Sequence, residues 1–208
     1  MTHIGHSEKV LVMRVFLAVI ILIFSFQSYT KANNIEDFQL EGISIGDSLL
    51  NHLSIEKIKN AKKFLYPSSK KFFQLNFWNL KNFKTYEHLT VLLKSNDKDY
   101  IIYEFSGYID FEKDIDDCYK QEKQVVKDIK NVLINVKFQN LGKINKSIDK
   151  SGKSKITINQ FYPDNGGTIK VSCHDWSIEW EKKGEIDSLS VSVASEEAFD
   201  WFVNEAYK

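Results

Sequence analysis

The chain has 208 residues with 28 basic and 28 acidic side chains, a formal net charge of zero, so no charge excess recommends a nucleic acid or an anionic membrane as partner. Its one arginine is Arg14. Every other cation is a lysine, without the planar fork that grips phosphate or carboxylate bidentately, which argues against phosphate-ester chemistry.

The N-terminus carries Lys9 and Arg14, then the uncharged apolar run VFLAVIILIFSF of 12 residues, then the polar QSYTKANN. This order is that of a secretory signal peptide, with Thr30 and Ala32 at the −3 and −1 positions of a cut after Ala32. The expected organisation is a signal over 1–32 and a single domain over 33–208. The alternative is an uncleaved anchor over residues 10–26, which at 17 residues is short of the roughly 20 that a spanning helix needs. Without the signal, 25 basic residues face 27 acidic ones, and the remaining length suits one domain that buries roughly 70% of its unfolded surface.

Asp47, after Gly46, is placed to cap a short helix, and Ser54 to start another turn through Lys59. The alternating, aromatic segments KFFQLNFW, YEHLTVLLK and YIIYEFSGYIDF read as three strands, the last two a hairpin around SNDKD. Ile115, Cys118, Val125, Ile129, Val132 and Val136 recur at helical spacing. Asp114 is the expected cap of that helix, and Asp116 and Asp117 suit its first turn. Residues 140–154 are polar with glycine and serine and read as a loop. KITINQFY and TIKVSCH form a second hairpin across PDNGG, with Asn165–Gly166 supplying positive φ. IDSLSVSV is a further strand, and Ser195 caps a last helix whose Phe199, Phe202 and Val203 face the sheet. The expected class is α+β: a mainly antiparallel sheet built from hairpins, packed against one long central helix and a C-terminal helix.

VSCHDWSIEW sets Cys173 beside His174 and Asp175. On a strand, Cys173 joins Ile169 and Val171 while His174 joins Lys170 and Ser172 on the other face. Adjacent thiol and imidazole then point apart and cannot be a working dyad, since a nucleophile must lie within hydrogen-bond reach of its base. A Cys173 nucleophile served by His52 or His88 is the remaining thiol-enzyme reading. With Cys118 and Cys173 both on apolar faces, a disulfide between them is the simpler expectation in an exported chain. Asp175 is read as a cap for WSIEWEKK, with Gly184 at its end. Trp176 and Trp180 then share one face, as sheet cover or as a ligand surface; spacing alone leaves both open.

KSGKSK lacks the first glycine of a phosphate loop, since Ser147 stands there. The acids Asp110, Glu112, Asp114, Asp116 and Asp117 lack the glycine of a calcium loop and read as helix-start electrostatics. His52, His88 and His174 have no H-x-x-x-H partner, so no metal ligand, cofactor or catalytic residue is assigned.

LEGISIGDSLL, DKSGKS, VSCHDWS and DWFVNEAYK together resemble an uncharacterised family of small secreted proteins from bacteria with compact, AT-rich genomes. The resemblance spans nearly the whole chain beyond the signal. It implies an exported bacterial protein and carries over no catalytic residue. The expected function is a periplasmic or secreted binding module for a protein or small-molecule partner, without enzymatic activity. The alternatives are a secreted hydrolase with scattered site residues and an inner-membrane-anchored protein.

Overall fold

The computed structural model describes residues 35–80, 83–112, 114–133, 136–164 and 166–208. The signal read over 1–32 and the turn residue Asn165 lie outside them. Eight strands form one sheet: β1 Lys62–Leu65, β2 Phe72–Trp78, β3 His88–Lys94, β4 Ile102–Asp110, β5 Lys137–Asn145, β6 Lys155–Tyr162, β7 Thr168–Asp175 and β8 Ser188–Ala194. Their spatial order is β1-β2-β3-β4-β8-β7-β6-β5, with every neighbouring pair antiparallel. Two four-strand meanders therefore meet where β4 pairs β8. The protein is α+β with a dominant antiparallel sheet.

The helices are α1 Ile55–Asn60, α2 Ile115–Val132, α3 Ile178–Glu181 and α4 Glu196–Asn204. The 18-residue α2 connects the meanders and lies over β7 and β8. Its apolar stripe, Cys118, Val125, Val126 and Ile129, joins Ile169, Val171, Leu189 and Val191 in the larger core. The segment from Ile35 to Ile58 extends that core with Phe38, Ile43, Leu49 and Leu53. α4 packs on the other face against β4 and β8, where Trp201 and Ala198 meet Phe72 and Leu92.

Cys118 and Cys173 form a disulfide. Around it, Tyr119 Oη donates to Asp175 Oδ2 at 2.8 Å, and Thr157 Oγ1 donates to the Glu122 carboxylate. The helix is thus held to the sheet by a covalent bond and two polar contacts, beyond its buried stripe.

Several elements depart from expectation. Residues 140–145, read as loop, belong to β5; they are mostly exposed because β5 is an edge strand, which hides its alternation. A bulge between Asn140 and Gly142, with Gly142 at φ 68°, breaks the pattern further. β1 is the other edge and all four of its residues are exposed, so KKFL carries no period-two signal. Lysines on both edges and the bulge on one oppose edge-to-edge pairing.

Asp47 caps nothing: its carboxylate accepts from Ser44 N and contacts His52 Nε2, while Ser48 caps the short 3-10 turn Leu49–Asn51. Asp175 remains in β7, paired with Lys155, and its carboxylate is taken by Tyr119 and Lys143; Ser177 stands at the cap of α3 instead. Val136 falls past the end of α2. In α4 it is Trp201, 1% exposed, that seals the sheet; Val203 is 55% exposed because that side of the helix faces water. Asp114, Ser54 and Ser195 cap their helices through side-chain oxygens, as their positions predict.

Candidate functional site

The face of the sheet opposite α2 is apolar where α4 covers it and again at Ile156 on β6, opposite His174. Beyond α4, register aligns polar residues across the strands. One row runs Asn76, Thr90, Ser106, Ser192, Lys170, Gln160. The next runs Trp78, His88, Tyr108, Ser190, Ser172, and a third places Asp110, Ser188 and His174 side by side. Thr90, Glu104, Ser106, Ser172, Ser188 and Ser190 are buried. A sheet face left to solvent does not enclose its serines in this way, and enclosed polar groups require partners.

The partners form two chains. Ser106 Oγ hydrogen-bonds the Glu104 carboxyl group and lies 2.7 Å from Ser192 Oγ. Burial pushes the Glu104 carboxyl up to about 7, against the lowering pull of Ser106 and of Lys170. In the second chain Lys146 Nζ lies 2.8 Å from His174 Nδ1, and His174 Nε2 lies 3.0 Å from Ser190 Oγ. Lys146 has only protons to give, so Nδ1 accepts, Nε2 carries the proton, and Ser190 Oγ receives it. Burial first, then the charges of Lys146 and Lys170, hold His174 well below the usual imidazole range.

Lys146 comes from the loop after β5, and the sequence DKSGKS organises that loop. Asp149 Oδ2 accepts from Ser154 N and Oγ, and Oδ1 accepts from Ser151 N and Oγ, bonds that hold its carboxyl far below the ordinary range. Ser177 Oγ reaches the same carboxylate, so the loop is tied to the start of α3. Lys146 Nζ then sits 3.3 Å above the Trp176 ring. Burial brings its ammonium down to about 8, opposed by Glu185, Asp187 and Asp175.

Ser190, His174 and Lys146 have the connectivity of a hydrolytic triad with the wrong sign at one end. In such a triad a carboxylate orients the imidazole and stabilises the imidazolium formed when the serine proton is taken. Here an ammonium occupies that place and disfavours imidazolium. The array is built to donate hydrogen bonds, and His174 is a poor general base at neutral pH.

Among the residues singled out from sequence, Cys118 and Cys173 come together as the disulfide, which removes the thiol nucleophile. His52 lies apart from the strip, beside Asp47. His88 is stacked between Trp78 and Tyr108, at centroid distances of 4.6 and 4.9 Å, and burial lowers it to about 4. Its Nε2 is buried without a partner. Trp176 and Trp180 stack on each other at 5.4 Å, but Trp176 precedes α3 and both rings are half-buried. They wall the end of the strip. Sequence reading missed Glu104, Ser106, Lys146, Lys170 and Ser190; an alternating strand gives no sign that its polar face is enclosed.

A recess of about 380 Å³ on the opposite face is lined by Lys130, Leu133, Val136, Lys137, Phe138 and Phe161. It contains neither acid nor histidine. Among the described residues no cluster of histidine, cysteine and acids could hold a metal ion, and no helix is long and apolar enough to cross a membrane. The fold and site define an α+β protein with one enclosed polar sheet face. Comparison with models of known families, with curated proteins and with solved structures gives no match.

Proposed function

We propose that the chain is an exported bacterial binding module without enzymatic activity, and that the polar strip on β4, β8 and β7 is its ligand surface. The observation that carries this reading is the Lys146–His174–Ser190 array: hydrogen-bond donors are fixed and enclosed, yet the charge beside the imidazole opposes base catalysis. Export is supported by the sequence of residues 1–32 and by the disulfide, a bond that persists in oxidising compartments. Trp176 and Trp180 serve this surface as walls, with Lys146 clamped on one of them.

The test is thermal denaturation of the exported protein against a library of charged and neutral small molecules, beside an ester and amide hydrolysis panel. Saturable stabilisation lost on substituting strip residues, with no turnover, is the expected result. The Ser190–His174 contact favours a hydrolase as the second reading, and ester turnover abolished by Ser190→Ala would establish it in place of the first. Intact mass separates a chain starting near Asn33 from one anchored by residues 10–26.

A further inference from the structure

Lys170, Ser172, Ser190 and Ser192 form a two-by-two patch in the strip. Lys170 pairs with Ser192 and Ser172 with Ser190 across β7 and β8, and all four side chains stand on the same face. The Lys170 ammonium has no hydrogen-bond or ion-pair partner among the described residues, although it is close enough to Glu104 for each to shift the other. Ser172 is 0% exposed and its Oγ is buried with no partner. Ser190 Oγ accepts from His174, so its own proton is free to be given elsewhere. The patch therefore holds a cation and two uncommitted hydroxyl protons, and none of its four side chains is an anion.

We infer that this patch binds the carboxylate of a small organic acid, held by the Lys170 ammonium and by the hydroxyls of Ser172 and Ser190. The inference rests on the binding reading above and names its ligand class. A carboxylate suits the patch better than a phosphate for two reasons. There is one unmatched positive charge, since Lys146 is engaged by Trp176 and His174. Facing residues on paired strands are also only about 5 Å apart, a span that one carboxylate fills.

Glu104 makes the binding proton-linked. The titratable groups facing it are Lys170 on β7, Tyr108 on β4 and Tyr66 beneath α4. When Glu104 is protonated it donates to Ser106, Ser106 turns its proton to Ser192, and the single proton of Ser192 is left free to be offered beside Lys170. When Glu104 ionises it becomes an internal anion that competes for Lys170. Affinity for the acid falls as pH rises through about 7.

The experiment titrates acetate and benzoate into the exported protein at pH 6 and pH 8, following tryptophan fluorescence and melting temperature. Acetamide and benzamide are the neutral controls, and sodium chloride and inorganic phosphate the ionic ones. Carboxylates are expected to bind saturably and more tightly at pH 6, with the amides inert. Lys170→Met should weaken binding about tenfold or more, because a charge-assisted bond is lost. The variant removes a desolvated charge and should fold, as circular dichroism checks; Ser172→Ala is the second, milder variant and should weaken binding severalfold. Carboxylates no better than chloride, a preference for phosphate, or unchanged affinity in Lys170→Met overturns the inference. Binding of the amides at this strip, lost in Ser190→Ala, overturns it while leaving the binding reading intact; Glu104→Gln that keeps the full pH dependence overturns the proton linkage.

Discussion

Removing the disulfide with Cys118→Ala/Cys173→Ala tests how α2 is held to the sheet. The bond spans 55 positions and encloses β5, β6 and most of β7. On chain-entropy grounds such a loop lowers the freedom of the unfolded chain by about 4 kcal/mol. Both cysteines are 0% exposed, yet Val125 and Ile129 stay buried without the bond, and Tyr119–Asp175 and Glu122–Thr157 still join helix to strand. The native state should therefore survive, with the loss falling on the unfolded side. Equilibrium urea unfolding followed by tryptophan fluorescence should show the midpoint falling by about 2 M, taking a slope of about 2 kcal/mol/M. A slightly steeper transition is expected because the uncrosslinked chain expands further. Thiol reagents should label the parent only after denaturation and reduction. A midpoint shift below about 0.5 M would refute the reasoning, since it would mean that the loop is already restrained in the unfolded chain or that the bond strains the native one.

The Glu104 carboxyl is raised from 4.5 to about 7 by burial, so its stabilising contribution is fully present below the unfolded pKa and is lost as pH rises through the folded one. Glu104→Gln should match the parent near pH 4 and exceed it by about 3 kcal/mol at pH 8, measured by urea unfolding at both. An ideal Cβ at Gly107 would lie 2.6 Å from the Tyr86 ring; Gly107→Ala should cost about 2 kcal/mol or more, read as a lower melting temperature, and Gly107→Ala/Tyr86→Ala should recover part of the overpacking term in a double-mutant cycle. Ser195→Ala removes the hydroxyl that accepts from Ala198 N at 3.2 Å and should cost about 1 kcal/mol; a fall in hydrogen-exchange protection confined to α4 would separate a cap from a global effect.

The sequence is most legible where period and caps agree. Asp114, the acids after it and the stripe from Cys118 to Ile129 fix the start and buried face of α2, although the same spacing runs on to Val136, past its end at Val132; the alternation in β7 sends Cys173 and His174 to opposite faces. Legibility fails at the edges of the sheet, where one-sided burial vanishes: Lys62–Leu65 and Leu141–Asn145 carry no pattern because both their faces meet solvent. It fails again at Asp47 and Asp175, good capping residues whose carboxylates are claimed instead by the nearby His52 and by Tyr119 and Lys143, which are distant in sequence. The candidate site is the least legible part. LSVSVA in β8 is what any half-exposed strand looks like, and Ser190 and Ser192 gain meaning only when register sets Ser192 between Lys170 and Ser106 and Ser190 between Ser172 and Tyr108.

The strip is costly as pure architecture. α4 could seal only one end of this face, and the simplest completion of the remainder is either long solvated side chains or apolar ones. Instead, short serines bring the backbone surface low, and the long polar groups around them, Glu104, Lys146, Lys170 and His174, each sit with their charge disfavoured. Removing one partner from a balanced buried network destabilises a fold, whereas Lys170 has no hydrogen-bond or ion-pair partner among the described residues and only the field of Glu104 favours its charge. A cation kept in that position costs desolvation that the nearby Glu104 offsets only in part. On the reading proposed above, an acid bound across β7 and β8 would bring a negative charge to Lys170 and acceptors to the uncommitted protons of Ser172 and Ser190.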